Sequence, residues 1–179
     1  MFLDRDGVLN APEVRAGKPY PPSSVEAMVV LPGAVDATRA LKAAGFRLVV
    51  VTNQPDVRTG RQPVAVMDGI HARLRALMPL DDIRVCLHVD EDRCHCRKPL
   101  PGMLLEAARC DGIDLEASYM VGDRWRDIEA GRAAGCRTVL VGPGYEEQAA
   151  EGYDAAAPTL LEASRWILQQ AAGGVHGTA

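Results

Sequence analysis

The stretch MFLDRDGVLN (residues 1–10) sets three apolar residues, Met1, Phe2 and Leu3, directly against two aspartates, Asp4 and Asp6. Aspartate is a poor strand former and is costly to bury. Apolar residues that run straight into acids therefore read as a strand handing charge to one edge of a sheet. The same pattern recurs downstream: FRLVVVTN (46–53) ends on Thr52 and Asn53, and SYMVGD (118–123) ends on Asp123. IRVCLH (83–88) and CRTVLVG (136–142) complete five strand-like runs. Between them lie helix-periodic stretches. PGAVDATRALKAAG (32–45) opens on Pro and closes on Gly, the usual asymmetry of a helix. PVAVMDGIHARLRALM (63–78), PGMLLEAARCDG (101–112) and WRDIEAGRAAG (125–135) follow, and PTLLEASRWILQQAA (158–172) closes the series.

Strands alternating with helices predict βαβ units and a mainly parallel central sheet covered on both faces, an α/β three-layer Rossmann-like sandwich. Residues 1–172 read as one domain and 173–179 as a frayed, flexible tail. The polar, proline-rich NAPEVRAGKPYPPSS (10–24) reads as a surface loop. Only some 20 residues separate the first strand from its helix, so the fold is expected to be capless, with an open site. Three residues make a short first strand against the usual ~5–6, so a strand that begins upstream of this numbering is the expectation.

With 179 residues, 47% of them apolar and only 4% aromatic, the core must be built from Ala, Val, Leu and Ile. The net charge of −4 argues against a nucleic-acid binder, which would carry a basic patch. No apolar run nears the ~20 residues of a membrane span, and no secretory signal precedes the first strand. A cytoplasmic protein with no membrane partner is the expectation.

Residues at the strand ends match the demands of phosphate-ester hydrolysis: a nucleophile, a proton donor for the leaving oxygen, and cations for the phosphoryl charge. Asp4 can attack as a carboxylate, and Asp6 can protonate the leaving group and later activate water. Mg²⁺ prefers oxygen ligands, so Asp4, Asp123 and a backbone carbonyl near Asp6 can hold it. Thr52 and Lys98, one of only three lysines, would bind phosphoryl oxygens. Gly7 lets the backbone approach closely. Asp127, one helical turn after Asp123, has no assigned role.

Three of the five cysteines fall in CLHVDEDRCHC (86–96), which supplies Cys86, His88, Cys94 and Cys96. Three thiolates and an imidazole complete a tetrahedral structural Zn²⁺ site with no open position for catalysis. His95 should point away when its two Cys neighbours point inward. The loop, residues 86–98, runs straight into Arg97 and Lys98, so zinc would stiffen the segment that aims Lys98. Cys110 and Cys136 read as small core residues.

DRDGV, VVVTN, RKP and GDRWRD together resemble the four motifs of the haloacid dehalogenase superfamily of aspartate-nucleophile phosphatases, over residues 1 to about 145. The resemblance implies that Asp4 is the nucleophile and Asp6 the general acid/base. It implies that Asp4, Asp6 and Asp123 bind Mg²⁺, and that Thr52 and Lys98 stabilise the phosphoryl group. CLH and CHCRKP resemble the zinc-loop branch, whose members act on D-glycero-D-manno-heptose 1,7-bisphosphate or on histidinol phosphate. KPLPGMLLEAA and ASYMVGD are closer to the heptose enzymes, which implies a sugar bisphosphate cleaved at its 7-phosphate. Histidinol phosphate or another small sugar phosphate is the alternative. Asn53, Gln54, Arg97 and Arg124 are then implied to contact substrate. The match to the heptose enzymes is incomplete in APEVRAGKPYPP (11–22), at their substrate loop.

A phosphoacceptor receiver domain also gathers acids, a Thr and a Lys at a sheet edge. It places its acceptor aspartate after strand three, where this chain has its Cys/His cluster. A non-catalytic zinc module would explain the cysteines and leave Asp4, Asp6, Asp123 and Lys98 idle. A monomer is compatible with the reading, though no residue specifies it.

Overall fold

A computed structural model of the protein describes residues 1–174. In chain order its elements are β1 (Phe2–Leu3), β2 (Glu13–Arg15), β3 (Lys18–Tyr20), α1 (Ala34–Ala43), β4 (Val49–Asn53) and α2 (Pro55–Arg58). They continue with α3 (Val64–Leu77), β5 (Asp82–Cys86), α4 (Gly102–Asp111), β6 (Tyr119–Gly122) and α5 (Trp125–Ala134). β7 (Arg137–Val141), β8 (Ala155–Ala157) and α6 (Leu160–Gly174) complete the fold. Of the segment 173–179 read as a tail, Gly173 and Gly174 close α6, and residues 175–179 lie outside the described residues.

Six strands form one sheet in the order β5-β4-β1-β6-β7-β8, every pairing parallel. The chain winds outward from β1 to β5, then crosses back to β6 on the other side of β1. Strand order therefore reverses beside β1, and a crevice opens there at the carboxyl ends of the strands. Phe2 and Leu3 pair with Val49 and Val50 on one side and with Met120 and Val121 on the other. Short as it is, β1 is fully enclosed.

Successive residues of a strand face opposite sides of the sheet, and two cores follow from that alternation. Leu3, Val50, Val121 and Val139 pack with Leu41 of α1, Ile70 and Leu74 of α3, and Ile167 of α6. Phe2, Val49, Val51 and Met120 pack with Leu104 and Ala107 of α4 and Ala130 of α5. This is the three-layer α/β sandwich expected. Cys136 is buried, but Cys110 is exposed, because the buried stripe of α4 ends at Ala107. No helix among the described residues is long and apolar enough to cross a membrane.

Two features go beyond the sequence reading. The 10–24 segment holds an antiparallel hairpin, β2–β3, with Val14 opposite Pro19. β8 adds a sixth strand beside β7.

Candidate active site at the strand ends

The crevice beside β1 collects Asp4 from the end of β1, Thr52 from β4, Asp123 from just past β6, and Asp127 from the first turn of α5. Lys98 arrives on the loop after β5. All five side chains are buried. Lys98 Nζ donates to Asp4 Oδ1 at 2.7 Å, to Asp127 Oδ1 at 2.5 Å and to the Val51 carbonyl at 2.7 Å. The other oxygen of Asp127 accepts the Arg124 backbone N–H at 3.1 Å. Asp127 thus ties the start of α5 to Lys98, a role not assigned to it from the sequence. Its signal was present, however, as an acid one helical turn after another.

Carboxylate oxygens of Asp4, Asp123 and Asp127 lie within 4.8 Å of one another. Three acids against one ammonium leave a formal charge of −2 among buried side chains. Burial, followed by the charges of Asp4 and Asp127, pushes the Asp123 carboxyl well above the carboxylate range. Burial likewise raises Asp4 to about 6, although Lys98 pulls it down. Burial alone would lower Lys98, but the charges of Asp127 and Asp4 outweigh it and hold the ammonium charged. Asp123 Oδ1 is buried with no partner among the described residues, and its Oδ2 accepts from the Tyr145 hydroxyl. An orphaned buried oxygen in a cluster short of two positive charges fits a hard dication such as Mg²⁺.

Gly7 is required by this crowding. Its φ is 87°, and an added Cβ would lie 1.6 Å from Asp123 Oδ2. Its N–H is bonded to the Asn10 carbonyl, so the close approach is steric accommodation.

Asp6 is held from behind. Arg5 Nε and one terminal nitrogen fork its two oxygens at 3.1 and 2.7 Å, Asn10 Nδ2 donates at 2.8 Å, and Gln54 Nε2 donates at 2.8 Å. Gln54 Nε2 also donates to Thr52 Oγ1 at 2.9 Å. With that oxygen accepting, the Thr52 hydroxyl proton is free to point at a ligand.

Asp4, Asp6, Thr52, Asn53, Arg97, Lys98, Arg124 and Asp127 all line one cavity of about 220 Å³. Its outer wall is Pro19, Tyr20 and Pro21 of the β2–β3 hairpin, with Asp56, Arg61 and Arg126. None of these six was singled out from the sequence: Pro19, Tyr20 and Pro21 come in on and just after the hairpin, Asp56 and Arg61 on and just after α2, and Arg126 on the first turn of α5. Gln54 is buried behind Asp6 and off this wall. Asn53 binds the Lys98 backbone at both ends of its amide, at 3.0 and 3.1 Å. The two implied substrate arginines are engaged. Arg97 donates to Asp90 at 2.6 Å and to the His88 carbonyl at 3.0 Å, while Arg124 forks the Glu147 carboxylate.

The second ligand cluster sits at the end of β5. Cys86 Sγ, His88 Nδ1, Cys94 Sγ and Cys96 Sγ come within 4.8 Å of one another. Their separations run from 3.1 to 3.7 Å. Zinc–sulfur bonds of ~2.3 Å in a tetrahedron would set the sulfurs about 3.8 Å apart. Burial, followed by the neighbouring Cys96 thiol, pushes the Cys86 thiol upward, the situation that a thiophilic cation relieves. His95 is outside the cluster. Its carbonyl lies against Gly102, where an added Cβ would be 2.1 Å away, so the loop docks tightly on the start of α4.

Fold and site together define the class, a HAD-like phosphatase, that is, a phosphoric monoester hydrolase. Residues 95–164 match the family model described as "HAD-hyrolase-like". The D-glycero-beta-D-manno-heptose-1,7-bisphosphate 7-phosphatase of Pseudomonas putida is 40% identical over 156 residues, spanning 84% of this chain and 86% of its own. The Escherichia coli enzyme of the same name is 37% identical, spanning 96% and 89%. The crystal structure of D,D-heptose 1,7-bisphosphate phosphatase from B. bronchiseptica, complexed with magnesium and phosphate, superposes with a TM-score of 0.82 at 31% identity, covering 95% of this chain and 98% of that one. This chain belongs to the D-glycero-beta-D-manno-heptose-1,7-bisphosphate 7-phosphatase family.

Proposed function

We propose that the protein removes the 7-phosphate of D-glycero-D-manno-heptose 1,7-bisphosphate through an aspartyl-phosphate on Asp4. The observation that carries the reading is the buried Asp4–Lys98–Asp127–Asp123 cluster at the switch point, in a chain whose relatives bear that activity in their names.

Lys98 holds Asp4 by Oδ1 and leaves Oδ2 free to attack. As Asp4 Oδ2 bonds to phosphorus, the bond to the sugar oxygen breaks and Asp6, which enters this step as the neutral acid, delivers its proton to that oxygen. Asp6, now a carboxylate, takes a proton from water, whose oxygen attacks phosphorus and releases Asp4 and inorganic phosphate. The Lys98 ammonium and the Thr52 hydroxyl bind phosphoryl oxygens, and Asn53 fixes the peptide that carries Lys98. Asp4, Asp123 and the Asp6 carbonyl would hold Mg²⁺, which when bound offsets negative charge on the cluster and on the transferring phosphoryl group. Asp127 orients Lys98. Arg97 and Arg124 on the cavity wall are the nearest partners for the second phosphate, whose oxygens suit the planar guanidinium fork.

Cys86, His88, Cys94 and Cys96 would hold structural Zn²⁺ and stiffen the loop that ends in Lys98. A reducing cytoplasm keeps those thiols available to the metal. A single domain acting on a small metabolite, with no nucleic-acid or membrane partner, suffices for this role.

The test is kcat/KM with Mg²⁺ on the heptose bisphosphate, the matching 1-phosphate and histidinol phosphate. The expected order has the bisphosphate first, with inorganic phosphate released from the 7-position. Faster turnover of histidinol phosphate would reject the heptose assignment and keep the phosphatase.

A further inference from the structure

Asp6 must present one oxygen to the leaving group, and a displacement of about 1 Å in such a group can lower the rate ~10²-fold. What fixes Asp6 is a buried guanidinium. Arg5 is fully buried, and two of its nitrogens fork the Asp6 carboxylate. Its remaining terminal nitrogen lies 3.0 Å from Nε2 of His71 on α3, and His71 is itself buried. A guanidinium has no acceptor of its own, so the ring nitrogen must be the unprotonated one and accept.

We propose that His71 is a positioning residue for Asp6, acting through Arg5; the proposal rests on the phosphatase reading above. Choice of residue type supports it. A carboxylate at position 71 would compete with Asp6 for the Arg5 charge. An apolar side chain would leave a buried N–H unpaired and free to draw the guanidinium elsewhere. A neutral imidazole supplies an acceptor without charge, so Arg5 keeps its full charge on Asp6. Burial, followed by the Arg5 charge, holds the His71 ring down to about 4, so it stays neutral at working pH. The other two donors to Asp6, Asn10 and Gln54, are anchored separately, on the Ala11 carbonyl and on Thr52. Arg5 is the donor whose aim depends on a distant element, and α3 supplies it.

The experiment compares His71→Leu with His71→Gln, which restores an acceptor, on D-glycero-D-manno-heptose 1,7-bisphosphate. His71→Leu should lower kcat roughly 10–100-fold with KM nearly unchanged, and His71→Gln should recover most of the loss. Added to Asp6→Asn, His71→Leu should cost nothing further. A KM rise in place of the kcat loss, no rescue by Gln, or an equal loss on top of Asp6→Asn would overturn the proposal. Should the Leu variant not fold, His71→Asn takes its place, with an acceptor too short to reach and the same expectations. The Arg5 guanidinium ¹⁵N resonances, protected from exchange in the parent and unprotected in the Leu or Asn variant, report the clamp without turnover. Protection that survives the substitution rejects the clamp, whereas an inactive parent with a protected Arg5 rejects only the phosphatase reading.

Discussion

Two clusters of side chains that could each hold a metal ion meet at the Lys98 segment, and they differ in almost every physical respect. At the strand ends the candidate ligands are oxygens, their charge exceeds that of the one ammonium among them, and one buried oxygen has no partner among the described residues. In the 86–96 loop the candidate ligands are sulfur and imidazole nitrogen, and together they would fill a tetrahedron around zinc. The oxygen cluster works against folding until ligands arrive, whereas the sulfur cluster would contribute folding energy once its ion is bound. In the proposed mechanism reactivity belongs to the first arrangement, where Lys98 holds one oxygen of Asp4 and the other can attack. The second can only aim its neighbour.

The largest expected effect separates the two clusters directly. Asp4→Asn removes the nucleophile and should abolish turnover, by roughly 10⁴-fold or more. It should also leave the metal-free protein as stable or more stable. Burial raises the Asp4 carboxyl to about 6 in the folded state, against ~3.9 unfolded. Between those values the unfolded chain releases its proton first, so stability falls as pH rises through that window and stays lower above it. An amide removes that slope. Thermal melts from pH 4 to 8 check it, and a large loss of Tm at pH 8 in Asp4→Asn would break the contrast.

Cys94→Ser, or stripping the ion with a chelator, should do the reverse. Tm should fall on the order of 10 °C, in keeping with structural zinc sites that contribute folding energy outright. Activity should fall some 10–100-fold through the loosened Lys98, while added Mg²⁺ restores none of it. Metal analysis of protein purified without chelator should find one zinc per chain. An unchanged melt after chelation would remove the structural half of the comparison.

How much of this was legible beforehand follows the same division. Ligand identity lies in short local motifs, so both clusters, and the sheet that collects them, could be read from spacing and strand ends. The cavity wall could not. The β2–β3 hairpin turns on Ala16 and Gly17, both with positive φ. Alanine rarely adopts that conformation, so the Asn-Gly or Asp-Gly signal of a tight hairpin is missing. β8 is three alanines, without the β-branched or aromatic residues that mark a strand. Asp127 and Tyr145 act through partners 29 and 22 residues away, and no local pattern records a contact of that range. Arg97 and Arg124 line the cavity, but their engagement with Asp90 and Glu147 is tertiary and had no sequence signal.

A smaller effect concerns what the oxygen cluster binds as pH changes. Protons and Mg²⁺ compete for Asp4 and Asp123, both raised by burial. As pH falls through about 6 Asp4 takes up a proton, on top of the proton that the raised Asp123 already holds more tightly than a free carboxylate, so each pH unit lost there should weaken Mg²⁺ by about tenfold or more. Calorimetric titration at pH 5, 6, 7 and 8 measures this. Mg²⁺ affinity that is flat across that range would mean that the cluster is already compensated without the ion.

The smallest expected effect lies at the rim, between the oxygen cluster and solvent. Arg124 follows Asp123 in the chain and faces the cavity, yet its guanidinium is forked by Glu147, with Nε at 2.7 Å from one carboxylate oxygen. A second phosphate must share or displace that carboxylate. Glu147→Gln removes the competing charge and should lower KM for the bisphosphate by up to about fivefold, the scale of a partly exposed ion pair. Turnover at saturation should not change, because the chemistry sits at the other end of the substrate. Arg124→Ala should raise KM by a similar factor and cancel the benefit of Glu147→Gln in the double variant, since only Arg124 transmits it. Both effects should shrink at high salt and vanish for a monophosphate that has no second anion to place. Equal effects on the bisphosphate and the monophosphate would move the distal phosphate away from Arg124, toward Arg61 or Arg126 on the same wall.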